Sequence, residues 1–243
     1  MIVERMIRAS STLRDDVESF ADSLVEEGSV DAVYNPLAYA WKPHRAYLEL
    51  ASEGGAKTLL LGMNPGPHGM GQMGIPFAAT SVVRDLLKIT DLEVEQPRNP
   101  HTKRPVSGLN WPKEEVSGTR LWGLLADKYG SAESIFKSVF LLNHCPLMLF
   151  SGERATNITP DKIAGPTTRK LLERCDEHLR EVVEIMEIER VIGVGRYSEK
   201  RAKNALVNTG IEITTCWHPS PASPLANRNG GEDWRVNVSS VLP

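Results

Sequence analysis

Three polar side chains with useful chemistry follow apolar runs in this sequence: Asn64 after KTLLLGM, Asn143 at the end of SVFLLN, and His218 after IEITTCW. A carboxamide can orient water or read a hydrogen-bonding edge, because it holds one acceptor and two donors. An imidazole can donate a hydrogen bond or a proton near neutral pH. If the runs are strands of one parallel sheet, the three side chains meet at the edge where ligands of such sheets bind.

Each of these residues also has a purely structural explanation. Asn64 and Asn143 could hydrogen-bond the local backbone of a turn, and His218 could be a histidine without a chemical role. Prolines stiffen the backbone beside Asn64, in the Pro-Gly-Pro turn, and beside His218, in the HPSP segment. The joint position of the three residues after predicted strands therefore favours a site.

Short apolar runs separated by helical patterns predict the sheet that would position these residues. The runs are partly β-branched and do not alternate cleanly: residues 57–62, 138–143, 190–194 and 211–216. Continuous apolar strands are typical of parallel sheets that are covered on both faces. We therefore expect one domain over residues 1–243, an α/β fold with a three-layer α/β/α sandwich around a four-stranded, mainly parallel sheet.

Apolar residues at helical spacing predict the covering helices. These patterns occupy residues 13–26, 80–89, 119–129, 167–188 and 198–208. Ser10, Ser11 or Thr12 is available as the N-cap of the first helix, and Thr80 as that of the second. Residues 91–118 are rich in proline and polar side chains, which predicts a long ordered loop with little regular structure.

Composition and charge argue against several classes of protein. The 243-residue chain has a net charge of −3, which disfavours a general nucleic-acid coat but allows a local basic groove. Cys145, Cys175 and Cys216 form no C-x-x-C pair, so neither a disulfide framework nor a structural metal is expected. The N-terminal segment lacks the apolar core of a signal peptide, and no apolar run approaches the roughly 20 residues of a membrane span. We therefore expect a cytoplasmic protein without cofactor, metal or membrane association.

Two segments resemble the paired motifs of the uracil-DNA glycosylase superfamily. GMNPGPHGMGQMGIPF (62–77) and HPSPASPLANR (218–228) are most similar to those of its single-strand-selective monofunctional family. The similarity covers roughly residues 30–234, most of the chain, and includes the segments 34–48, 103–124 and 143–150. One branch of the superfamily has Asp and then Tyr where this chain has Asn64 and Gly66. The mismatch-directed thymine/uracil branch shares Asn-Pro-Gly but lacks the histidine.

The resemblance implies a DNA base-excision repair enzyme that hydrolyses the bond between N1 of uracil and C1′ of the sugar. Asn64 would position the attacking water, and His218 would donate a hydrogen bond to uracil O2 as negative charge develops. Asn143 would donate to O4 and accept from N3–H, whereas cytosine presents the reverse pattern. Phe77 would stack on the flipped base.

The same resemblance places Gly62, Met63, Gly66 and Met70 at the substrate. A bulky side chain at position 66 would press on C5 of the ring, whereas glycine leaves space for a water held by backbone groups near Gly66 and Met70. A 5-hydroxymethyl group could displace that water and reuse its hydrogen bonds. We therefore expect 5-hydroxymethyluracil to be accepted and thymine to be rejected.

The segment that starts at His218 is expected to enter DNA or to hold the flipped state. The residues that the resemblance places at DNA are Pro219, Ser220, Pro221, Ala222, Ser223 and Arg228. Vertebrate-type members have arginine at the position of Ala222 and phenylalanine at that of His68. We therefore expect either a weaker wedge into the duplex or its replacement by Leu225 or Arg228. A basic cluster in the long loop fits a solvated surface and a phosphate contact equally: Arg98, His101, Lys103 and Arg104.

Neither motif contains a lysine, so Schiff-base chemistry with strand cleavage is not expected. The expected partner is DNA that contains uracil or a modified uracil, in single-stranded and possibly also in double-stranded form. We expect a monomer, associated with the nucleoid if the source is prokaryotic. Two alternatives stay open: the same fold preferring deaminated purines such as xanthine or hypoxanthine, and a protein that binds a damaged base without excising it.

Overall fold

A computed structural model describes residues 1–90 and 92–243 of the chain. Its strands are β1 (Ala32–Tyr34), β2 (Thr58–Gly62), β3 (Val139–Asn143), β4 (Met148–Ser151), β5 (Thr156–Ile158), β6 (Arg190–Val194) and β7 (Glu212–Cys216). The central sheet has the strand order β3-β2-β6-β7, and all of its pairings are parallel. These strands lie where the apolar runs predicted them, and the predicted α/β fold is confirmed.

Burial of the central strands shows how the sheet is covered. β2 and β3 are buried at every position, and β6 is buried from Val191 onward. Because successive side chains of a strand point to opposite faces, this burial means that both faces of the sheet are covered. β7, at the sheet edge, is exposed or half-buried until Cys216.

Helices flank the sheet. They are α1 (Ile2–Glu26), α2 (Pro36–Tyr39), α3 (Trp41–Glu53), α4 (Met70–Met73), α5 (Val116–Tyr129), α6 (Ala132–Ser138), α7 (Pro166–Met186), α8 (Arg196–Ala205), α9 (Pro224–Asn227) and α10 (Glu232–Ser239). The predicted helix over residues 80–89 includes a π-helical turn at Val82–Leu86. None of the helices in the described part of the chain is long and apolar enough to cross a membrane.

The predicted start of α1 was wrong. The helix begins at Ile2, so Ser10, Ser11 and Thr12 lie inside it and do not cap it. Its apolar face continues toward the N-terminus through Met6, which is fully buried. Ser10 is also buried, and its hydroxyl hydrogen-bonds the His44 ring over 2.7 Å.

The long loop matches its prediction over most of its length. Residues 92–115 contain one short 3-10 helix, Gly108–Asn110, and α5 then begins at Val116 rather than after residue 118. The first residue of the predicted loop, residue 91, lies outside the described residues.

A second, antiparallel sheet was not predicted. β4 lies between β1 and β5, and each strand has only three or four residues. Strands this short give too few positions for a periodic pattern to identify them. The sheet bears on function because β5 contacts the turn that follows β2.

The register of the parallel sheet brings the ends of its strands to one edge. Gly62 pairs with Asn143, and Val194 pairs with Cys216. Beyond the sheet, the His144 N–H still donates to the Gly62 carbonyl over 3.0 Å. The segments after β2, β3 and β7 therefore all leave the sheet at the same end of its parallel strands.

Candidate active site

A cavity of about 380 Å³ opens at this edge of the sheet. It is lined by residues that the sequence singled out: Met63, Asn64, Gly66, Met70, Phe77, Asn143, His218 and Ser220. It is also lined by residues that the sequence analysis did not select: Pro65, Pro67, Glu115, Ser117, Asn157 and Thr159. The structure thus brings two carboxamides, an imidazole and a phenyl ring to one cavity.

A larger cavity, of about 540 Å³, lies between α1, β1 and residues 95–99. Its walls include the carboxylates of Glu18, Asp22, Asp31 and Glu95. Of the described residues predicted at the substrate or at DNA it contains Arg98 alone, which pairs with Glu18 and Asp22. Carboxylates repel the phosphates of a nucleic acid, so this cavity does not fit the chemistry that the motifs indicate.

The second sheet fixes the orientation of the Asn64 amide. Asn64 Nδ2 donates to the Ile158 carbonyl at the end of β5 over 3.3 Å. On the same strand, Asn157 Nδ2 donates to the Pro65 carbonyl over 3.2 Å. Because Nδ2 of Asn64 is engaged, Oδ1 is the atom left to accept a hydrogen bond from a ligand or water.

Buried Gln72 holds the other side of the same turn. Its Nε2 donates to the carbonyls of Pro67, over 2.9 Å, and Pro105, over 3.1 Å. Its Oε1 accepts the Ser107 N–H over 2.8 Å. The turn that presents Asn64 is therefore clamped between β5 and the long loop.

Asn143 is buried beside β2, and glycine at position 62 makes its placement possible. A Cβ at Gly62 would stand 2.1 Å from Asn143 Oδ1 and 2.6 Å from Phe77 Cζ, closer than atoms approach without moving. Asn143 Nδ2 donates to Met70 Sδ over 3.1 Å. A thioether is a weak acceptor, so a ligand carbonyl can replace it without loss.

Phe77 lines the cavity with a constrained backbone. Its φ of +54° lies in the left-handed region, which costs a bulky residue on the order of 1 kcal/mol. The ring also belongs to the main hydrophobic core, so it lies between the core and the cavity.

The backbone also selects the tautomer of His218. The Ser220 N–H donates to His218 Nδ1 over 3.1 Å, so Nδ1 is unprotonated and the proton of the neutral ring lies on Nε2. Burial lowers the pKa of His218, which keeps the ring neutral at pH 7. Nε2–H is therefore the donor that the ring can offer to a ligand.

Glu115 is an acidic group in the cavity wall that the sequence analysis did not select. Burial raises the pKa of Glu115, and the nearby backbone of Ser117 and of His68 opposes this shift only in part. A Cβ at Gly66 would stand 2.5 Å from Glu115 Oε2. The side of Gly66 that was expected to be open is thus occupied by a carboxylate. Glu115 lies in the similar segment 103–124, but it follows the long loop and not a strand.

The residues predicted at DNA occupy the segment after β7. Ser220 lines the cavity, Pro219 is buried beside it, Ser223 is half-buried, and Pro221 and Ala222 are exposed. The Arg228 side chain pairs with Asp233 over 2.9 Å, while Leu225 is exposed. Arg120 of α5 ties the segment down by donating to the Pro219 carbonyl over 3.0 Å and to Asn227 Oδ1 over 2.9 Å.

The predicted basic cluster is divided in the structure. Arg98 pairs with Asp22 and Glu18 of α1, away from the cavity. Lys103 and Arg104 donate to the carbonyls of Glu153 and Ala155, each over 2.7 Å. His68, at a position where vertebrate-type members have phenylalanine, stacks on Trp111 with an angle of 15° between the rings.

Comparison with known proteins identifies the family. The profile of the Uracil DNA glycosylase superfamily matches residues 50–235. The single-strand selective monofunctional uracil DNA glycosylase of Bos taurus is 43% identical over 222 residues, covering 88% of this chain and 79% of that protein. The enzyme of the same name from Rattus norvegicus is 42% identical over 201 residues, covering 82% and 72%. The chain belongs to the uracil-DNA glycosylase superfamily, as its motifs predicted.

A solved structure supports the fold independently. The crystal structure of wild-type SMUG2 from Pedobacter heparinus matches with a TM-score of 0.59 and covers 86% of this chain and 84% of that chain. At 17% sequence identity, this similarity bears on the fold alone.

Proposed function

We propose that this protein is a monofunctional DNA glycosylase that releases uracil from DNA by hydrolysing its N-glycosidic bond. The observation that carries the proposal is the convergence of Asn64, Phe77, Asn143 and His218 on one cavity. The names of the mammalian relatives support the same activity. They favour it over the two alternatives, a purine-directed glycosylase and a non-catalytic binding protein.

An extruded uracil fits the polar pattern of the cavity. O4 would replace Met70 Sδ as the acceptor of Asn143 Nδ2, and Asn143 Oδ1 would accept from N3–H. Cytosine would bring an amino group against Nδ2 and a bare nitrogen against Oδ1, so it would leave buried groups unpaired. Phe77 would stack on the ring and would not distinguish between pyrimidines.

Departure of the base requires stabilisation of the charge that develops on uracil. His218 Nε2–H would donate to O2 as a neutral donor, which stabilises an anion without first binding a proton. One such preorganised donor contributes about 3–4 kcal/mol to the transition state. Asn64 Oδ1 would hold the water for attack on C1′. Since the sugar becomes oxocarbenium-like, this water does not need a strong base.

The proposed enzyme does not cleave the strand. A Schiff-base route needs an amine at the reacting carbon, and the described residues that line the cavity include no lysine. We propose uracil-containing single-stranded DNA as the preferred substrate, since a base that is already unpaired costs less to extrude. We further propose that the protein binds DNA as a monomer in the cytoplasm, and on the nucleoid if its source is a prokaryote.

Single-turnover assays on oligonucleotides containing uracil, 5-hydroxymethyluracil, xanthine or hypoxanthine test the proposal. We expect uracil and 5-hydroxymethyluracil to be released. Asn64→Ala and His218→Ala should each lower uracil excision by about 100- to 1000-fold while DNA affinity changes little. Release of a purine with uracil untouched would favour the purine-directed alternative. Binding of uracil-DNA without any abasic product would favour the binding protein.

A further inference from the structure

Glu115 takes no part in the reaction proposed above, yet its carboxylate lines the same cavity. It lies against the turn after β2: ideal Cβ positions at Gly66 and Gly69 would stand 2.5 Å from its Oε2 and 3.0 Å from its Cγ. An ionised carboxylate offers about four lone-pair sites, so Glu115 can accept a hydrogen bond from a ligand in the cavity.

The order of atoms around a uracil ring places C5 at this wall. Asn143 Nδ2, which donates to Met70 Sδ over 3.1 Å, marks the side where O4 would bind. C4, the carbon that carries O4, is bonded to N3 on one side and to C5 on the other. C5 therefore lies beyond Asn143 toward Met70. The Gly71 N–H donates to the Gly66 carbonyl over 2.9 Å, which folds Gly66 back onto the start of α4. The C5 edge therefore faces the turn against which Glu115 packs.

We propose that Glu115 determines which C5 substituents the enzyme accepts, by accepting a hydrogen bond from a hydroxymethyl group at C5. This inference rests on the proposed function and adds the residue that reads the substituent. A substituent with a hydroxyl donor satisfies the carboxylate. A methyl group covers a carboxylate oxygen without replacing its hydrogen bond, and a formyl group presents a second acceptor to it.

Two substitutions separate these effects. Glu115→Ala removes the acceptor, so excision of 5-hydroxymethyluracil relative to uracil should fall by about tenfold. In Glu115→Gln, the side-chain NH2 group can donate a hydrogen bond to an acceptor on the substituent. That variant should raise excision of 5-formyluracil relative to uracil by several-fold. Glu114→Gln is the matched control, because Glu114 is exposed and its carboxylate accepts the Ser81 N–H over 3.0 Å, outside the cavity.

The test measures single-turnover excision of all three bases from single-stranded oligonucleotides. Uracil has no C5 substituent, so it normalises every variant, including one that folds less well. If both Glu115 variants excise 5-hydroxymethyluracil and 5-formyluracil at the wild-type ratios to uracil, the inference is overturned. This holds whether excision of all three bases falls equally or does not change, and the proposed function stays intact. Failure of the wild-type protein to release uracil would instead overturn the proposed function.

Discussion

Glycine at position 62 leaves the space that the Asn143 and Phe77 side chains occupy beside the cavity. We expect Gly62→Ala to lower excision of every accepted base by at least about 100-fold, because the new Cβ would stand 2.1 Å from Asn143 Oδ1 and 2.6 Å from the Phe77 ring. Overpacking at this buried strand end should also destabilise the protein by roughly 1–3 kcal/mol. Excision assays and thermal unfolding measure the two effects separately.

Gly123→Ala is the matched control for this substitution. Gly123 lies within α5, and a Cβ there would meet no atom within 4 Å. Alanine also favours a helix over glycine by up to about 1 kcal/mol, so this variant should retain activity and be at least as stable as wild type. Full activity of Gly62→Ala would mean that Asn143 and Phe77 do not need their close approach to β2.

The protonation state of His218 makes a prediction about pH. Burial lowers the pKa of His218 below its ordinary value of about 6.5, so the ring is neutral above that value and gains its proton only at more acid pH. We expect the rate of uracil excision to show no histidine inflection at pH 6.5 or above. Single-turnover rates between pH 5 and 8, with NMR titration of the ring, check this. An inflection above pH 6.5 that is present in the wild-type protein and absent from His218→Ala would contradict a neutral His218 ring.

At the scale of elements, β5 orients the turn that presents Asn64. Asn157→Ala removes the hydrogen bond to the Pro65 carbonyl, and the loss of about 1 kcal/mol of positioning should lower the excision rate by about fivefold. Asn157 Oδ1 is buried without a hydrogen-bond partner among the described residues, so the substitution breaks no hydrogen bond to this atom. Thr156→Ala, on the same strand but exposed, should leave the rate unchanged. Equal rates for the two variants would show that the hydrogen bond from Asn157 to Pro65 does not position the turn.

Elements with long or fully buried patterns could be predicted from the sequence, and short ones could not. β2 and β3 are buried throughout, so their apolar runs identified them. β5 reads Thr-Asn-Ile and owes its strand conformation to pairing with β4, a contact distant in sequence. Asn157 and Thr159 were therefore missed although they line the cavity.

The site was predictable to the extent that strand ends mark it. Asn64, Asn143 and His218 follow apolar runs, and the parallel register brings them together. Glu115 reaches the cavity from the end of a long loop, where no periodic pattern fixes the path of the chain. Its carboxylate could not be placed against Gly66 without the three-dimensional structure.

At the scale of the whole molecule, His44 couples folding to pH. The residue is on α3, where its Nε2 hydrogen-bonds the Ser10 hydroxyl of α1 and its Nδ1 the Gly74 carbonyl, each over 2.7 Å. Complete burial lowers the pKa of His44 from 6.5 to about 4. Burial also lowers the pKa of His144 and that of His178. The contacts of α3 with α1 and with Gly74 therefore pass through an imidazole that is neutral in the folded protein at pH 7.

The sign of the linkage follows from these shifts. Between pH 6.5 and about 4 the unfolded chain binds protons at His44 that the folded chain does not, so the free energy of unfolding falls as the pH falls through this window. His44 alone should account for about 3 kcal/mol of this loss. We expect His44→Gln, which cannot ionise, to be less stable than wild type at pH 7.5 but to lose less stability on acidification. Urea unfolding at pH 7.5, 5.5 and 4.5 measures both slopes, and the comparison cancels the groups that the two proteins share. Parallel curves for the two proteins would show that His44 is not the group that titrates.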